Sequence, residues 1–380
     1  MNAPIPSRRS DAVAANHDIY LDWLRGIAAL LVLFTHVRNG YFVKWSDLDP
    51  SSQNHINYVL FVVTRLGREA VIVFFVLSGY LVGGHALSSY RKGRYTLQKY
   101  LVARIARLYV VIVPALILTG IFDALHGAWN ASRDGLTTFL VNLFLLQGIY
   151  GGTYGSNGPL WSLSYEWWFY ILFGLTLAAA ASRSARTTVA SALVLGLCAS
   201  MLALKCTAIL LMFPLWLFGV AARTLPSIRL PRKMTIPVSL MALCFALGIS
   251  SVRWDWKGDF AVGIATTAFI YFSRGLEPLR YRWFPLGKNL AAFSFSLYAI
   301  HYPLNDFVMS FVIRKRLTHA GVVDWVLWTG IVIGEAVICY GFYWLFERRT
   351  PAVRAWLDRI LPSHASAMDE AGRAPIAGRL

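Results

Sequence analysis

Long apolar stretches alternate with short polar segments along almost the whole chain of 380 residues. Each stretch is close to the roughly 20 apolar residues that cross a bilayer as an α-helix. We predict about ten membrane-spanning helices at 19–38, 70–88, 104–122, 160–181, 187–203, 207–222, 235–252, 259–274, 290–313 and 323–346. The pattern therefore indicates an all-α fold, a polytopic integral membrane bundle.

Basic residues orient the predicted helices. Lys and Arg concentrate in 89–107, in 223–233, in 274–288 and after residue 346. Loops rich in these residues tend to lie on the cytoplasmic side of a membrane. All four segments can lie there only if one apolar run between them does not cross, and the run at 136–149 is the shortest. We therefore expect 136–149 to be a re-entrant or surface segment and both chain termini to be cytoplasmic.

One basic cluster does not follow this orientation. Arg314, Lys315 and Arg316 fall on the opposite side of the membrane under the same scheme. The positive-inside rule is statistical and tolerates such an exception.

Composition supports a membrane protein and argues against other classes. Hydrophobic residues make up 57% of the chain and charged residues 14%, whereas soluble domains carry about 25% charged residues. The net charge of +17 fits the positive-inside pattern and does not call for nucleic acid. The four cysteines form no CxxC or Cys/His pattern, so we expect neither disulfides nor a metal site. We divide the chain into a cytoplasmic tail (1–18), a transmembrane domain (19–350) and a second cytoplasmic tail (351–380).

The first predicted helix carries ionisable residues on one face. Arg25 and His36 are eleven residues apart, almost three helical turns, so their side chains leave the same face about 16 Å apart along the axis. Asp22 lies one turn before Arg25 and can pair with it. Ionisable residues inside a membrane commonly mark functional sites, because burying a charge in lipid is costly. The structural alternative is that His36 bonds a neighbouring helix while Arg25 extends to the lipid headgroups.

Two further segments place polar residues in apolar surroundings. Ser162, Glu166 and Tyr170 recur at i, i+4 and i+8, on one face of a helix that Pro159 can begin. Ser78 interrupts a run of bulky residues and is followed by glycines, a pattern typical of close helix packing. No G-x-S-x-G motif surrounds Ser78, so the sequence does not support a nucleophilic serine.

A third polar stripe occupies the predicted helix at 290–313. Its members recur at i, i+4, i+7 and i+11: Ser294, Tyr298, His301 and Asn305. Pro303 cannot donate a backbone hydrogen bond and should free the Ala299 carbonyl, so we expect a kinked helix that faces a cavity. A seam of hydrogen bonds between helices explains the stripe equally well. Glu335 is an isolated acid in the last span with no evident partner.

Six short motifs in this order resemble the membrane acyltransferase-3 family of bacterial polysaccharide and lipid O-acyltransferases. The motifs are YLDWLRGIAALLVLFTH, FFVLSGYL, RIARL, LWSLSYEWWFY, SLYAIHYPL and ERRTP, and they extend from Tyr20 to about Pro351. Each motif alone is a short string in apolar sequence, whereas the ordered set is specific. In the last motif, Glu347 and Pro351 lie farther apart than the acidic residue and the proline of the family pattern.

The resemblance implies an enzyme that transfers an acyl group, commonly acetyl, from cytoplasmic acyl-coenzyme A to a hydroxyl of a glycan or glycolipid across the membrane. Acyl-CoA is then a co-substrate, no cofactor stays bound, and the bacterial inner (cytoplasmic) membrane is the expected location. Arg25, Arg104 and Arg107 are the candidates to bind the CoA phosphates, because guanidinium groups pair well with phosphate. The pantetheine arm is expected to follow the first helix toward His36.

The same resemblance assigns the chemistry to His36 and Glu166. His36 is the candidate general base for the acceptor hydroxyl, and Glu166 the residue that orients its imidazole. An acyl-histidine intermediate is the alternative route, and the sequence does not separate the two. Five further residues are candidates to line the cavity or contact the acceptor: Ser78, Ser162, Tyr298, His301 and Asn305.

A secondary transporter or flippase for a lipid-linked sugar is the main alternative function. Buried charges and a kinked helix serve transport as well as catalysis. The sequence shows no strong internal repeat and gathers arginines at the predicted cytoplasmic side, and both observations favour the enzyme. An accessory membrane subunit, the third possibility, would need none of the polar stripes.

Overall fold

The chain is helical throughout the residues that the computed structural model describes, which are 19–228, 231–253, 255–274, 284–313 and 315–361. The α-helices in these ranges are α1 (Ile19–Tyr41), α2 (His55–Val63), α3 (Gly67–Ser78), α4 (Gly84–Arg91), α5 (Leu97–Leu125), α6 (Ala131–Asp134), α7 (Leu136–Leu143), α8 (Trp161–Ala181), α9 (Ala185–Lys205), α10 (Thr207–Thr224), α11 (Arg232–Arg253), α12 (Trp256–Ser273), α13 (Phe284–Val312), α14 (Val322–Leu345) and α15 (Thr350–Ile360). The all-α prediction is confirmed.

Several helices are long and apolar enough to cross a membrane. Within the described residues there are seven such stretches: Ile19–Tyr41, His55–Arg91, Leu97–Leu125, Ala185–Lys205, Thr207–Thr224, Lys233–Arg253 and Val322–Ile360. The chain is therefore a multi-pass membrane protein. Helices α8, α12 and α13 have 21, 18 and 29 residues, and they pack in the same bundle. They are not among the seven stretches, and the count of about ten crossings stays a prediction.

Helix α2 is an element that the apolar pattern did not predict. It lies just before α3, and Arg65 and Arg68 break the apolar pattern between and within the two helices. The structure accommodates both guanidinium groups. Arg68 forms an ion pair with the buried Asp259, at 2.6 Å, and Arg65 donates to the Ser251 carbonyl. Because these cations are satisfied by partners across the bundle, the helical stretch continues past them.

The segment at 136–149 contains one short helix. Helix α7 has 8 residues, or about 12 Å of length, which is less than half of the roughly 30 Å hydrocarbon core. It therefore cannot cross as a helix. Of the predicted tails, 1–18 and 362–380 lie outside the described residues, as does Arg314. The first part of the predicted C-terminal tail forms α15, which packs against α5.

Helices α1 and α13 form the most extensive helix pair of the bundle. Two glycines of α1 allow the close approach. A Cβ at Gly26 would lie 2.6 Å from the Leu290 Cβ, and a Cβ at Gly40 would lie 2.9 Å from the Asn305 Oδ1. Helix α1 also packs against α3 and α14. The helix that carries Arg25 is thus enclosed by protein on several sides.

The segment between α5 and α8 folds back onto the bundle instead of crossing it. The Ser156 backbone N–H donates to the buried Asp123 carboxylate, at 2.7 Å. The Asn157 amide donates to the Ala299 carbonyl, at 2.8 Å. This is the carbonyl that Pro303 was predicted to free, so an asparagine side chain replaces the missing backbone donor. Helix α13 continues through Pro303 to its end at Val312.

Helices α3 and α10 cross backbone to backbone at two glycines. A Cβ at Gly79 would overlap the Trp216 carbonyl oxygen, and a Cβ at Gly219 would overlap the Val76 carbonyl oxygen. Gly79 also opens a π-helical turn, Gly79–Gly83, that follows Ser78. Only residues without a side chain permit this crossing, which fixes Ser78 against α10.

Replacing Gly219 with alanine should destabilise the protein. The added methyl group meets backbone that cannot move aside, and overpacking of this kind costs about 1–3 kcal/mol. Gly196→Ala is the matched control, because Gly196 is also helical and a Cβ added there would meet nothing within 4 Å. We expect the thermal midpoint in detergent to fall for Gly219→Ala and to stay or rise for Gly196→Ala. Equal midpoints would contradict the crossing.

Two buried carboxylates organise the loop before α8. Asp123 is 0% exposed and Asp134 is 5% exposed. A Cβ at Gly155, which has a positive φ of 54°, would overlap a carboxylate oxygen of each of these two residues. Asp134 accepts a hydrogen bond from the Asn130 backbone, at 2.7 Å. Burial and the neighbouring Asp123 raise the pKa of Asp134.

The stability of this loop should therefore depend on pH. A carboxyl group whose pKa is raised by folding stabilises the folded state while it is protonated, and this contribution is lost as pH rises through the folded-state pKa. Asp134→Asn keeps the acceptor for Asn130 and removes the charge. We expect it to raise the thermal midpoint at pH 8, with a gain that shrinks toward pH 4. The exposed Asp47→Asn is the control, and a gain independent of pH would refute the assignment.

Candidate functional site

Two cavities lie side by side in the bundle. The first, which we call the arginine cavity, has a volume of about 200 Å³. The second, which we call the histidine cavity because His36 lines it, has a volume of about 1080 Å³. Val71 and Tyr298 line both cavities. Arg25 lines the first and His36 the second, so the two ionisable residues of α1 face adjacent cavities inside the bundle rather than lipid.

The arginine cavity collects residues from three predicted polar stripes. Its polar lining comprises Arg25, Ser78, Arg104, Arg107, Ser162, Glu166, Tyr170, Ser294 and Tyr298. Helices α1, α3, α5, α8 and α13 contribute these side chains, so residues far apart in the sequence converge on one volume. The amphipathic periodicity of each helix accounts for the direction of its polar face.

The three arginines of this cavity form no direct ion pair among the described residues. Within the described residues, no carboxylate lies within 4.0 Å of Arg25, Arg104 or Arg107. Arg104 and Arg107 lie over aromatic rings, each at 5.9 Å from the ring centroid. The Arg104 Nε is buried and has no hydrogen-bond partner in the described structure. Guanidinium groups with unused donors in a protein interior form a site for an anion.

Glu166 belongs to a hydrogen-bond chain in the arginine cavity. Tyr170 donates to Glu166, at 2.5 Å, and the Tyr170 hydroxyl lies 3.0 Å from the Ser78 hydroxyl. The Trp216 indole donates to Ser78, at 3.2 Å. Glu166 also acts electrostatically on Arg25. The spacing of Ser162, Glu166 and Tyr170 correctly predicted a shared face, although Ser78 comes from a different helix.

Tyr298 stands where the two cavities meet. Its hydroxyl donates to the Pro159 carbonyl, at 2.8 Å, and lies 2.5 Å from the Ser162 hydroxyl. These bonds join α13 to the start of α8. They hold the phenol ring between the arginines on one side and His36 on the other.

His36 contacts other aromatic residues of α13. Its ring lies 5.0 Å from the His301 ring and 4.8 Å from the Tyr302 ring, between centroids. The His301 Nδ1 lies 3.0 Å from the Leu297 carbonyl and 2.9 Å from the Tyr298 carbonyl. Carbonyls only accept hydrogen bonds, so we assign the proton of His301 to Nδ1. Its Nε2 is buried without a partner in the described structure and is left as an acceptor.

Glu166 and His36 do not meet in this structure. Glu166 lines the arginine cavity, and no hydrogen bond joins it to His36 among the described residues. We predicted Glu166 as the partner of His36, but the ring next to His36 in the structure is that of His301. Helical periodicity gives the face on which a side chain lies, but it does not give the neighbouring helix that this face meets.

Asn305 lies outside the arginine and histidine cavities but lines a third cavity of about 240 Å³. Its amide donates to Glu335, at 2.9 Å, which supplies the partner that the sequence did not reveal for this acid. Asn305 thus joins α13 to α14 and also lines a cavity. Elsewhere in the described chain, Asp123, His126 and Asp306 bring metal-ligand atoms within 4.8 Å of one another, also outside both cavities.

Glu347 is a buried acid whose place the sequence left unassigned. It accepts hydrogen bonds from the Ser296 backbone and hydroxyl, at 3.0 and 2.7 Å, and it acts electrostatically on Arg25. The ERRTP motif marked the residue, but its spacing gave no partner. Asn157 was missed because an asparagine in a turn ordinarily signals only the turn.

Comparison with known sequences agrees with this arrangement. The model of the acyltransferase-3 family, an acyltransferase domain, matches residues 18–344. The chain therefore belongs to the acyltransferase-3 family, and the resemblance drawn from the six motifs is confirmed.

Two relatives share part of their sequence with this chain. An O-acetyl transferase of Shigella phage Sf6 is 28% identical over 170 residues, which are 41% of this chain and 45% of the phage protein. An uncharacterized protein of Haemophilus influenzae is 27% identical over 115 residues, which are 28% of this chain and 47% of that protein. The chain thus spans about half the length of the curated relatives it matches. No solved structure matches it.

Proposed function

We propose that the protein is a membrane O-acyltransferase. It takes an acyl group, acetyl as the first choice, from acyl-CoA in the arginine cavity. It transfers that group to a hydroxyl of a cell-envelope or exported polysaccharide or glycolipid in the histidine cavity. This proposal depends mainly on the two adjacent cavities, which share Tyr298. One holds three arginines that form no ion pair among the described residues, and the other holds His36. Membership of the family and the name of the phage relative support it.

The proposed orientation follows from charge. Arg104 and Arg107 lie near the start of α5, directly after the basic residues Arg91, Lys92 and Arg94. The positive-inside rule assigns this end to the cytoplasm, where acyl-CoA is made available. We place the protein in the bacterial inner membrane with both termini cytoplasmic. The histidine cavity then opens on the opposite side.

The proposed reaction moves one acyl group and one proton. His36 takes the proton of the acceptor hydroxyl as the oxygen attacks the thioester carbonyl. The carbon–sulfur bond breaks, the proton passes to the CoA sulfur, and an ester and free CoA result. His301, with its free Nε2, is placed to accept a hydrogen bond from His36 and so to orient it. Glu166 acts as a positioning residue through Tyr170 and through its charge on Arg25. Attack by His36 itself, giving an acyl-histidine, is the alternative route.

His36→Ala should abolish acyl transfer while the protein stays in the membrane at its normal level. Positioned general bases contribute about 10²- to 10⁴-fold in rate, so the loss should reach at least the lower value. The exposed His55→Ala is the matched control. The measurement is the transfer of radiolabelled acetyl from acetyl-CoA to glycan in membranes.

Two outcomes of that assay would contradict the proposal. Transfer by His36→Ala at the control rate would remove His36 from the chemistry. If membranes with the unmutated protein move glycan across the bilayer but incorporate no radiolabelled acetyl into it, the protein is a transporter or flippase instead. Label retained on the protein without acceptor, and lost in His36→Ala, would select the acyl-histidine route.

Arg107→Gln should weaken donor binding and leave the acceptor unaffected. A hydrogen bond to a charged group is worth about 1.5–3 kcal/mol, so the KM for acetyl-CoA should rise roughly ten- to a hundredfold. Arg91→Gln is the control, because Arg91 is an exposed cation near the same end and does not line the cavity. Isothermal titration with CoA gives the affinity independently of turnover. An unchanged affinity for CoA would remove Arg107 from the donor site.

A further inference from the structure

The histidine cavity carries a strong positive charge of its own. Its charged lining consists of five cations, and no Asp or Glu is among its described lining residues: Arg38, Lys44, Arg65, Arg68 and Arg316. A surface that selects neutral sugars has no need of such a charge. The excess of positive charge in this cavity therefore needs a separate explanation.

Among the described residues, acidic partners neutralise one of these five cations. Arg68 is paired with the buried Asp259, at 2.6 Å. Arg65 donates to the Ser251 carbonyl, which carries no net charge. Arg38 lies over the Phe61 ring, at 5.0 Å from the centroid, and its buried Nε has no hydrogen-bond partner in the described structure. The charge of this cavity is thus available to a ligand.

Arg38 and Arg65 line the same cavity, so their two positive charges face one volume. Like charges against apolar walls are unfavourable, because the low dielectric strengthens their repulsion. An anion bound there offsets both charges and can accept a hydrogen bond from the Arg38 Nε, which has no partner in the described structure. Carboxylate and phosphate match the planar, bidentate geometry of the guanidinium group.

Membrane topology does not account for these cations. The positive-inside rule explains lysines and arginines at the cytoplasmic end. In the proposed orientation the histidine cavity opens at the other end, where the rule disfavours them. Arg316 belongs to the basic cluster that contradicted the predicted orientation. A ligand explains its position where topology does not.

We propose that the histidine cavity binds an acceptor that carries a negative charge, a carboxylate or a phosphate, through Arg38 and Arg65, with Lys44 and Arg316 at its exposed rim. Calling the ligand an acceptor rests on the proposed function. The binding of an anion in this cavity does not depend on it. The anion has two possible sources. It is either an acidic sugar of the glycan or the diphosphate of a lipid-linked glycan.

Binding to the purified protein in nanodiscs, without acyl-CoA, tests the inference. The probes are two matched pairs. The first is trigalacturonic acid and its neutral methyl ester. The second is polyprenyl diphosphate–N-acetylglucosamine and the same sugar on a neutral polyprenyl chain. We expect the anionic member of at least one pair to bind about tenfold or more tightly than its neutral match. The pair that responds identifies the source of the anion.

Substitutions of the lining arginines test whether the preference for anionic probes arises in the histidine cavity. Arg38→Gln and Arg65→Gln should reduce the preference at least about tenfold. Arg65→Lys should keep part of it, because the charge remains while the bidentate geometry is lost. The exposed Lys315→Gln, which does not line this cavity, is the control for net charge. Thermal midpoints check that each variant is folded. Raised salt should weaken the anionic probes only.

The inference fails if neither anionic probe binds more tightly than its neutral match, or if the preference survives in both glutamine variants. This failure is distinct from failure of the proposed function. If the protein binds an anionic probe selectively but transfers no acyl group, the anion-binding proposal stands and the proposed enzymatic function is wrong. Acyl transfer with no preference for anionic probes would uphold the enzyme and reject the inference.

Discussion

The carbonyl of Ala299 is the point on which the arrangement of the site depends. A backbone acceptor inside a bilayer needs a donor, because leaving it without one costs several kcal/mol. Pro303 removes the donor that an uninterrupted helix would supply. The Asn157 side chain supplies it instead, at 2.8 Å. This bond ties the loop before α8 to the middle of α13, and so the polar faces of the two helices meet at Tyr298.

Much of the rest follows from the cost of polar groups in lipid. Stripes that would be unfavourable on an exposed helix are stable when they face one another, because each hydroxyl finds a partner across the interface. The chain of Trp216, Ser78, Tyr170 and Glu166 illustrates this. The guanidinium groups that lack ion-pair partners among the described residues are the exception. Proteins retain such strain where a ligand relieves it, and Arg25, Arg38, Arg104 and Arg107 line the two cavities.

The sequence predicted the helices well and their partners poorly. The apolar runs and the polar segments between them located every long helix of the described chain. This works because bilayer thickness and the helical rise per residue together set the length of a membrane-spanning helix. Helix α2 was missed since Arg65 and Arg68 interrupt its pattern, and their partners Ser251 and Asp259 are far away in sequence. Likewise, spacing placed polar residues on the correct faces but could not tell which faces meet. A single sequence does not show which helix faces pack against each other.

The narrow meeting of the two cavities has a consequence for the barrier that a membrane must maintain. Val71 and Tyr298 border both spaces, so a thin wall of side chains separates them there. A protein built this way has no need to rock between inward- and outward-open states, as a carrier does. In the proposed reaction, only the acyl group has to pass between the two spaces. The gradient of protons and ions across the bilayer could then persist while acyl groups cross it.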